Sequence, residues 1–250
     1  MDDLTRGAFG FDVRQERTAQ LTERGSIPRR SIELTNQGKG MRLLDTFCGA
    51  GGAGMGYHRA GFEVVGVDVA PQPHFPFEFH QAEALAYIRE HGHEFDVIHA
   101  SPPCQAYSVC APLTSGNHPR LIEPLRDLLI ETGQPYVIEN VPGAPLIDYV
   151  MLCGTMFDLS VIRHRWFECR PAILMSPRTC NHWSAIGENG FCCLAGSGSG
   201  NSNKYPAHSR RKAAWQRAIG IDWMTKAEMV QAIPPAYTEW LGRRIVEAAS

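Results

Sequence analysis

Apolar runs alternate with helical stretches from Met41 onwards. The runs "MRLLDTF", "FEVVGVDV", "FDVIHAS" and "PYVIENV" are short and bounded by turn residues, as is typical of buried parallel strands. Helical patterns follow the first three runs at "YHRAG", "AEALAYIREHG" and "LIEPLRDLLIETG". The alternation predicts an α/β fold, with a doubly wound, mostly parallel sheet and helices on both faces.

The pattern changes at both ends of this region. Residues 1–40 are polar and weakly periodic, and we interpret them as an N-terminal extension. Residues 170–214 are rich in Gly, Ser, Asn and Cys, which predicts a short irregular insert of loops and short strands. Helical patterns return at "KAAWQRAIG" and "PAYTEWLGRRIVEAA". We therefore expect residues 41–169 and 215–250 to form one main domain.

Composition narrows the class of protein only slightly. The net charge of -2 neither indicates nor excludes nucleic acid, because a basic cleft can lie on a near-neutral protein. No apolar run has membrane-spanning length, and the N-terminus lacks the pattern of a secretory signal. We therefore expect a cytoplasmic protein without a membrane partner, whose 8 cysteines are thiols or metal ligands rather than disulfides.

A glycine-rich stretch, "LLDTFCGAGGAGMG", joins the first strand to its helix. Glycines let the backbone approach a ligand closely, and the helix N-terminus offers free amides. Asp68 ends the second strand about twenty residues later, where a carboxylate can accept hydrogen bonds from ribose hydroxyls. The pattern favours a nucleoside cofactor. The alternatives are a helix cap or solvated acid at Asp68, and a surface acid rather than an adenine neighbour at Glu83.

A cysteine follows two prolines at the end of the third strand, in "DVIHASPPCQAYSV". The prolines stop the strand and stiffen the turn that carries Cys104. Ligands of open α/β sheets bind at the carboxyl ends of strands, so this thiol is a candidate nucleophile. The alternative is a small buried cysteine that caps the strand.

Four motifs occur in order at compatible spacing, namely "DTFCGAGGAG", "SPPCQAYS", "IENV" and "RHRWFE". Together they resemble the cytosine-C5 DNA methyltransferases of phage and bacterial type, over residues 41–168 and again over 215–246. The resemblance implies a class I, Rossmann-like methyltransferase domain, with the insert as a small target-recognition region. It also implies methyl transfer from S-adenosylmethionine to C5 of a cytosine flipped out of double-stranded DNA, through a covalent bond between a cysteine and C6.

The resemblance assigns roles to particular side chains. Cys104 would be the nucleophile, Glu139 would contact N3 and the exocyclic amine, and Arg165 would hold O2 with Arg163 close by. Phe47 would lie against adenine, Asp68 on the ribose, and the amides around Gly49 and Gly51 near the methionine. The full set of expected donor contacts is Phe47, Gly49, Ala50, Gly51, Gly52, Asp68, Val69, Glu83, Ala84, Pro102 and Gln231.

Gln231 departs from the family pattern. The family usually has a Gly-Asn pair near the methionine end of the donor, and here the matching residues are Val230 and Gln231. The change could preserve a hydrogen bond to S-adenosylmethionine, which we favour, or could admit a donor that carries another group.

The segment "QAYSVCAPLTSGNHPR" after Cys104 is interpreted as a mobile loop that closes over the nucleic acid. The short insert suggests few base contacts, and its basic residues could bind phosphates or lie on a solvated surface. The expected nucleic-acid contacts are Gln105, Ser108, Arg120, Lys204, Arg210 and Arg211.

Cysteines and a histidine cluster around the insert and could bind a structural zinc ion, although their spacing fits no standard zinc finger. The candidate ligands are Cys169, Cys180, His182, Cys192 and Cys193.

Three other functions remain open. Cytosine in structured RNA such as tRNA could be the substrate instead of DNA. A catalytically silent nucleic-acid binding protein is a second alternative, although it would not need Cys104, Glu139 and Arg165 together. A nicotinamide oxidoreductase would explain the glycine loop and Asp68 but not "PPCQ" or "ENV".

Overall fold

The fold was analysed in a computed structural model that describes residues 40–107, 119–182 and 211–249. Seven strands form one sheet in the order β3-β2-β1-β4-β5-β7-β6. Strands β1 to β5 are parallel, whereas β7 runs antiparallel to both of its neighbours. The strands are β1 Arg42–Thr46, β2 Glu63–Asp68, β3 Glu78–Gln81, β4 Val97–Ala100, β5 Tyr136–Asn140, β6 Tyr149–Leu152 and β7 Arg165–Arg170.

Six α-helices accompany these strands in the described part of the chain. They are α1 Gly52–Arg59, α2 Ala84–His91, α3 Ile122–Thr132, α4 Lys212–Ile219, α5 Lys226–Gln231 and α6 Pro235–Ala249. The predicted α/β fold with a mostly parallel sheet is confirmed. Among the described residues, no helix has both the length and the apolar character needed to cross a membrane.

Alternate residues of each central strand pack on opposite faces of the sheet. Leu43 and Val137 join a core under α1 and α6, around Tyr57, Tyr237 and Leu241. Their neighbours Leu44 and Ile138 join a second core under α2 and α3. Because both faces are covered, apolar residues follow one another directly in these strands, as Leu43 and Leu44 do, which explains why apolar runs identified them.

Helix α1 begins earlier than the sequence analysis expected. The stretch up to Gly56 was interpreted as a turn, but the helix already starts at Gly52. A Cβ atom at Gly56 would overlap Thr238 Oγ1 and the Pro235 carbonyl oxygen of α6. Several of these glycines therefore serve close packing of α1 against α6 rather than a flexible loop.

The sheet has a topological switch point between β1 and β4. The chain leaves β1 for β2 on one side, and later returns to β4 on the other side of β1. Connections that diverge in this way leave a crevice at the carboxyl ends of the strands, where ligands of such sheets bind. The glycine loop after β1 and the Pro-Pro turn after β4 both lie at this edge.

Candidate active site

Cys104 lies on a fixed turn at the carboxyl end of β4. The Ser101 amide donates to the Thr46 carbonyl of β1 at 3.2 Å, and the Tyr107 amide donates to the Cys104 carbonyl at 2.9 Å. The side-chain amide of Asn140, at the end of β5, donates to the Pro102 carbonyl at 2.9 Å. Cys104 is a free, partly exposed thiol. The turn is thus tied to both neighbouring strands while its thiol stays accessible.

Glu139 and Arg165 form an ion pair beside this turn. Arg165 Nε lies 3.0 Å from Glu139 Oε1, and the two side chains are only 17% and 7% exposed. Burial raises the pKa of Glu139, while Arg165, a hydrogen bond from Ser101 and the charge of Arg163 act in the opposite direction. The Glu139 carboxyl is thus biased towards holding a proton without losing its cationic partner.

A buried row of hydrogen-bonding groups leads to this pair. Tyr57 Oη lies 3.0 Å from His99 Nδ1, and His99 Nε2 lies 2.9 Å from Ser101 Oγ. Burial lowers the pKa of His99 to about 3, so this imidazole is neutral at physiological pH. Because Ser101 also contacts Glu139, the row connects the interior of the sheet to the carboxyl group. No role was predicted for Tyr57, His99 or Ser101, since nothing in the local sequence indicates the hydrogen bonds that join them.

Arg163 is occupied by the backbone rather than free for a ligand. Its guanidinium donates to the Met229 carbonyl oxygen at 3.2 Å and to the Val230 carbonyl oxygen, both at the end of α5. Its own carbonyl accepts a 2.6 Å hydrogen bond from Tyr237 Oη. Burial, followed by the charge of Arg165, lowers the pKa of Arg163 to about 9. Arg163 also lies within electrostatic range of Cys104.

The loop after β1 has an unusual backbone. Phe47, Gly49 and Gly51 all have positive φ angles, of 56°, 50° and 82°. A side chain is strained in this region, which explains the glycines at two of the three positions. The Ala50 carbonyl accepts a 2.8 Å hydrogen bond from Trp223 Nε1 and so fixes the loop to the C-terminal region.

Asp68 is held in place by the loop that it faces. Its carboxylate accepts hydrogen bonds from the Gly49 amide at 3.1 Å and from the Ala70 amide at 3.0 Å. Each carboxylate oxygen can accept further hydrogen bonds, so Asp68 remains able to bind a ligand. The next residue, Val69, is 73% exposed and offers an apolar surface at the same strand end.

These residues fit an S-adenosyl donor. A Cβ atom at Gly49 would meet no atom within 4 Å, so the loop faces open space at this point. An oriented carboxylate suits two ribose hydroxyls, an exposed valine suits an adenine face, and loop amides suit a carboxylate. The arrangement is therefore compatible with the donor contacts expected at Phe47, Gly49, Asp68 and Val69.

Other expected donor residues have local structural roles. Glu83 caps α2, since its side chain accepts hydrogen bonds from the Leu85 and Ala86 amides at 3.1 and 2.8 Å. Ala84 is buried beneath the same helix start, and Pro102 is buried and accepts from Asn140. Gln231 is the exposed last residue of α5, next to the Val230 carbonyl that Arg163 holds.

The expected nucleic-acid residues are only partly described. Gln105 is exposed next to Cys104, and the Arg120 guanidinium lies 5.2 Å from the centre of the Tyr107 ring. Arg211 is exposed at the start of α4. Ser108, Lys204 and Arg210 lie outside the described residues, as do the zinc candidates Cys192 and Cys193.

A Cys/His cluster does form near the start of the insert, but with different members from those expected. Cys153, His164, Cys180 and His182 each offer a ligand atom, and these atoms all lie within 4.8 Å of one another. Of the sequence candidates, Cys180 and His182 belong to it. Cys169 does not, because its thiol is buried within β7, where burial and Glu168 raise its pKa to about 12.

Register explains why Cys153 and His164 were missed. Strands β6 and β7 are antiparallel with Leu152 opposite Arg165. Continuing this register by one residue places Cys153 opposite His164. The relationship depends on a strand pairing that the sequence analysis did not predict, although "RHR" itself was recognised.

Asp45 begins the motif "DTFCGAGGAG", but the sequence assigned it no role. It is completely buried in β1, and within the described part of the chain neither carboxylate oxygen has a hydrogen-bonding partner. Burial raises the pKa of Asp45 well above its ordinary value, which the nearby Gly54 amide only partly offsets.

One family model matches part of this chain. Residues 41–144, which contain the glycine loop, Asp68, the Pro-Pro-Cys turn and Glu139, match the family model of the C-5 cytosine-specific DNA methylases. The resemblance to cytosine-C5 DNA methyltransferases is confirmed. No curated protein matches the chain in a sequence comparison.

One solved structure agrees with the fold of this chain. The S. pombe Dnmt2 methyltransferase is 13% identical, with a TM-score of 0.53, over 83% of this chain and 98% of that protein. This similarity confirms the class I, Rossmann-like methyltransferase fold. A protein described as a DNA modification methyltransferase from an E. coli prophage is 20% identical, with a TM-score of 0.37 over 51% of this chain. The chain covers only 45% of that prophage protein.

Proposed function

We propose that this chain transfers a methyl group from S-adenosylmethionine to C5 of cytosine in double-stranded DNA. The observation that supports this most strongly is the meeting of three groups at one sheet edge. Cys104 on its Pro-Pro turn, the Glu139–Arg165 ion pair and the glycine loop with Asp68 all lie at the carboxyl ends of adjacent strands. The match to the C-5 cytosine-specific DNA methylases supports the same chemistry.

Cys104 is proposed to start the reaction. Cytosine C5 is a poor nucleophile, because the ring is aromatic and electron-poor. Addition of the Cys104 thiolate to C6 forms an S–C6 bond and shifts the electron pair of the C5–C6 double bond towards C5. C5 can then form a bond to the donor's methyl carbon while the sulfur–methyl bond breaks, which would leave S-adenosylhomocysteine. Loss of the C5 proton to solvent and of the thiolate restores the double bond.

Glu139 is proposed to supply the proton that this addition requires. As negative charge moves into the ring, N3 becomes more basic and accepts a proton or a strong hydrogen bond. The burial that raises the pKa of Glu139 favours the protonated carboxyl at the start of the reaction. When that proton moves to N3, the resulting carboxylate remains paired with Arg165.

The two arginines are proposed to have different tasks. Arg165 is partly exposed next to Glu139, and its guanidinium would hold the cytosine O2. Arg163 is committed to the α5 carbonyls and would keep α5 and the catalytic segment in register. We therefore assign a positioning role to Arg163, which the resemblance placed close to Arg165 among the catalytic residues.

The donor is proposed to lie over the loop after β1. Phe47 and Val69 would contact the adenine, Asp68 the ribose hydroxyls, and the amides around Gly49 and Gly51 the methionine carboxylate. When bound, the donor supplies an electrophilic methyl group. Glu83 would contribute through the start of α2, since both of its oxygens already cap that helix.

The nucleic acid would approach the exposed rim around Cys104. A cytosine within a duplex must leave its stack before any thiol can reach C6. Gln105, Arg120 and Arg211 are exposed in the described part of the chain and would contact the DNA. Structured RNA remains the alternative substrate, because the reacting groups are the same.

Mass spectrometry of nucleosides tests this proposal. Purified full-length protein would be incubated with S-adenosylmethionine and, separately, duplex DNA and tRNA. We expect 5-methyldeoxycytidine from the DNA, none with Cys104→Ser, and the same product with Gln231→Asn. Product from tRNA alone would show that the substrate assignment is wrong. A second incubation would replace S-adenosylmethionine with a cell extract that contains other donors. A heavier substituent at C5 in that sample would show that Gln231 belongs to a site for another donor. No modified cytosine in either substrate would contradict the function.

A further inference from the structure

The Cys/His cluster converges on one point from three segments of the chain. Cys153 follows β6, His164 precedes β7, and Cys180 and His182 lie on the stretch after β7. Cys153 Sγ lies 3.5 Å from His182 Nε2, and Cys180 Sγ lies 3.9 Å from His164 Nε2. Cys153 is buried, whereas the other three are partly buried.

These distances are close to those between the ligand atoms of a metal site. Tetrahedral zinc binds sulfur at about 2.3 Å and imidazole nitrogen at about 2.0 Å, which places the ligand atoms roughly 3.3–3.8 Å apart. The two S–N distances already lie close to this range, and all ligand atoms lie within 4.8 Å of one another. Small side-chain movements would therefore complete the coordination.

Ordinary packing explains the cluster less well. Cys153 and Cys180 are close enough for a hydrogen bond between their thiols, but a thiol pair has no need of two imidazoles. The His164 and His182 rings lie 5.0 Å apart between their centres, each with Nε2 directed at a sulfur. Two thiols and two imidazoles that share one centre are the ligand set of structural zinc.

A supporting residue is also present next to the cluster. Thr155 Oγ1 donates to Cys153 Sγ at 3.4 Å and accepts a hydrogen bond from the Asn181 amide at 3.2 Å. It thereby joins the segment of Cys153 to the segment of Cys180 and His182. Hydrogen bonds of this kind orient metal ligands and tune their affinity.

We propose that Cys153, His164, Cys180 and His182 bind one Zn²⁺ ion in a closed, structural site. The ion would fasten the beginning of the insert to the β6–β7 hairpin. Because His164 lies between Arg163 and Arg165 in the chain, it would also fix the segment that presents both arginines. The proposal does not depend on the proposed function, since metal binding is measured without a substrate.

Elemental analysis of the full chain, purified without chelators, tests the site. We expect about one equivalent of zinc per chain. Cys180→Ser and His182→Ala should each lower the zinc affinity by roughly a hundredfold or more. Loss of the Thr155 hydroxyl in Thr155→Val should lower it by about tenfold. Cys104→Ser and His93→Ala remove a thiol and an exposed histidine elsewhere, and both should keep the full zinc content.

Cobalt provides a readout that needs no variant. Protein loaded with Co²⁺ should show the intense visible absorption of a tetrahedral thiolate site, and Zn²⁺ should abolish it. Far-UV circular dichroism would establish that each variant is folded. If a variant is not folded, the cobalt spectrum of the wild-type protein still tests the site. Zinc content near zero with no cobalt spectrum would overturn the proposal. A disulfide between Cys153 and Cys180, found by mass spectrometry as the loss of two hydrogens, would also overturn it.

Discussion

Arg165 Nε lies 3.0 Å from Glu139 Oε1, in a largely buried ion pair at the carboxyl edge of the sheet. The two residues come from the antiparallel neighbours β7 and β5, where Glu139 lies opposite Phe167. Burial raises the pKa of Glu139 and Arg165 opposes that effect. Because burial and Arg165 shift the pKa of this carboxyl in opposite directions, it can give up and recover a proton during catalysis.

The pH dependence of catalysis should follow Glu139. Its pKa is raised in the folded protein, so the protonated form persists above the ordinary carboxyl value of 4.5 and is lost as the pH rises through the raised value. We expect kcat/KM to fall on this alkaline limb. Glu139→Gln should lower kcat by about 10²–10⁴-fold and remove the limb, since an amide does not titrate. Steady-state measurements of kcat/KM across a pH series test this. An unchanged alkaline limb in Glu139→Gln would show that another group causes it.

The two arginines should separate into a catalytic and a positioning residue. Arg163→Lys should lower the free energy of unfolding by about 1–3 kcal/mol, because buried carbonyls at the end of α5 lose their donors. Arg165→Lys should instead lower kcat by about 10²-fold with a smaller effect on stability. Urea unfolding and kcat of both variants test this. A loss of kcat in Arg163→Lys together with a loss of stability in Arg165→Lys would show that the two roles are reversed.

Stability should respond to Asp45 in a defined direction. The pKa of this buried carboxyl is raised, so its stabilising contribution is fully present below the ordinary value of 3.8 and is lost as the pH rises towards the folded-state value. The amide in Asp45→Asn does not titrate, so this variant should lose less stability than the wild-type protein as the pH rises through this range. The difference should grow by up to about 1.4 kcal/mol per pH unit. Urea unfolding from pH 4 to pH 7 measures it, and parallel curves for the two proteins would show that Asp45 is ionised without cost.

Donor binding should depend on Asp68, at the carboxyl end of β2. Asp68→Ala should weaken S-adenosylhomocysteine binding by about 10–100-fold, the effect of losing charged hydrogen bonds of about 1.5–3 kcal/mol. Glu63→Ala removes an exposed acid at the other end of the same strand and is the matched control. Calorimetry compares the two. Equal affinities for both variants would remove Asp68 from the donor site.

The central sheet was predictable because its strands are buried on both faces. Residues such as Leu43, Leu44, Val97 and Ile98 form apolar runs that only a covered strand requires. The edge strand β3 is mostly exposed, so it has no such run and was missed. Helix α5 was also missed, although Thr225 and Glu228 form a capping box whose T-x-x-E signature is readable in the sequence.

The only site residues that the sequence could bring together were those at the ends of predicted strands. Cys104, Glu139 and Asp68 each follow or end an apolar run, so their common edge could be inferred. His99 and Ser101 gave no separate signal, because their importance comes from hydrogen bonds to Tyr57 and Glu139. The pairing of Cys153 with His164 depends on the antiparallel register of β6 and β7, which local patterns do not encode.

Covalent trapping tests the central claim most directly. DNA that contains 5-fluorocytosine cannot lose its C5 substituent after methyl transfer, so the enzyme should remain attached to C6 in the presence of donor. Intact-mass and peptide mass spectrometry should locate the adduct on Cys104, and Cys104→Ala should bind DNA without forming it. An adduct that persists in Cys104→Ala, or maps to another cysteine, would contradict the account.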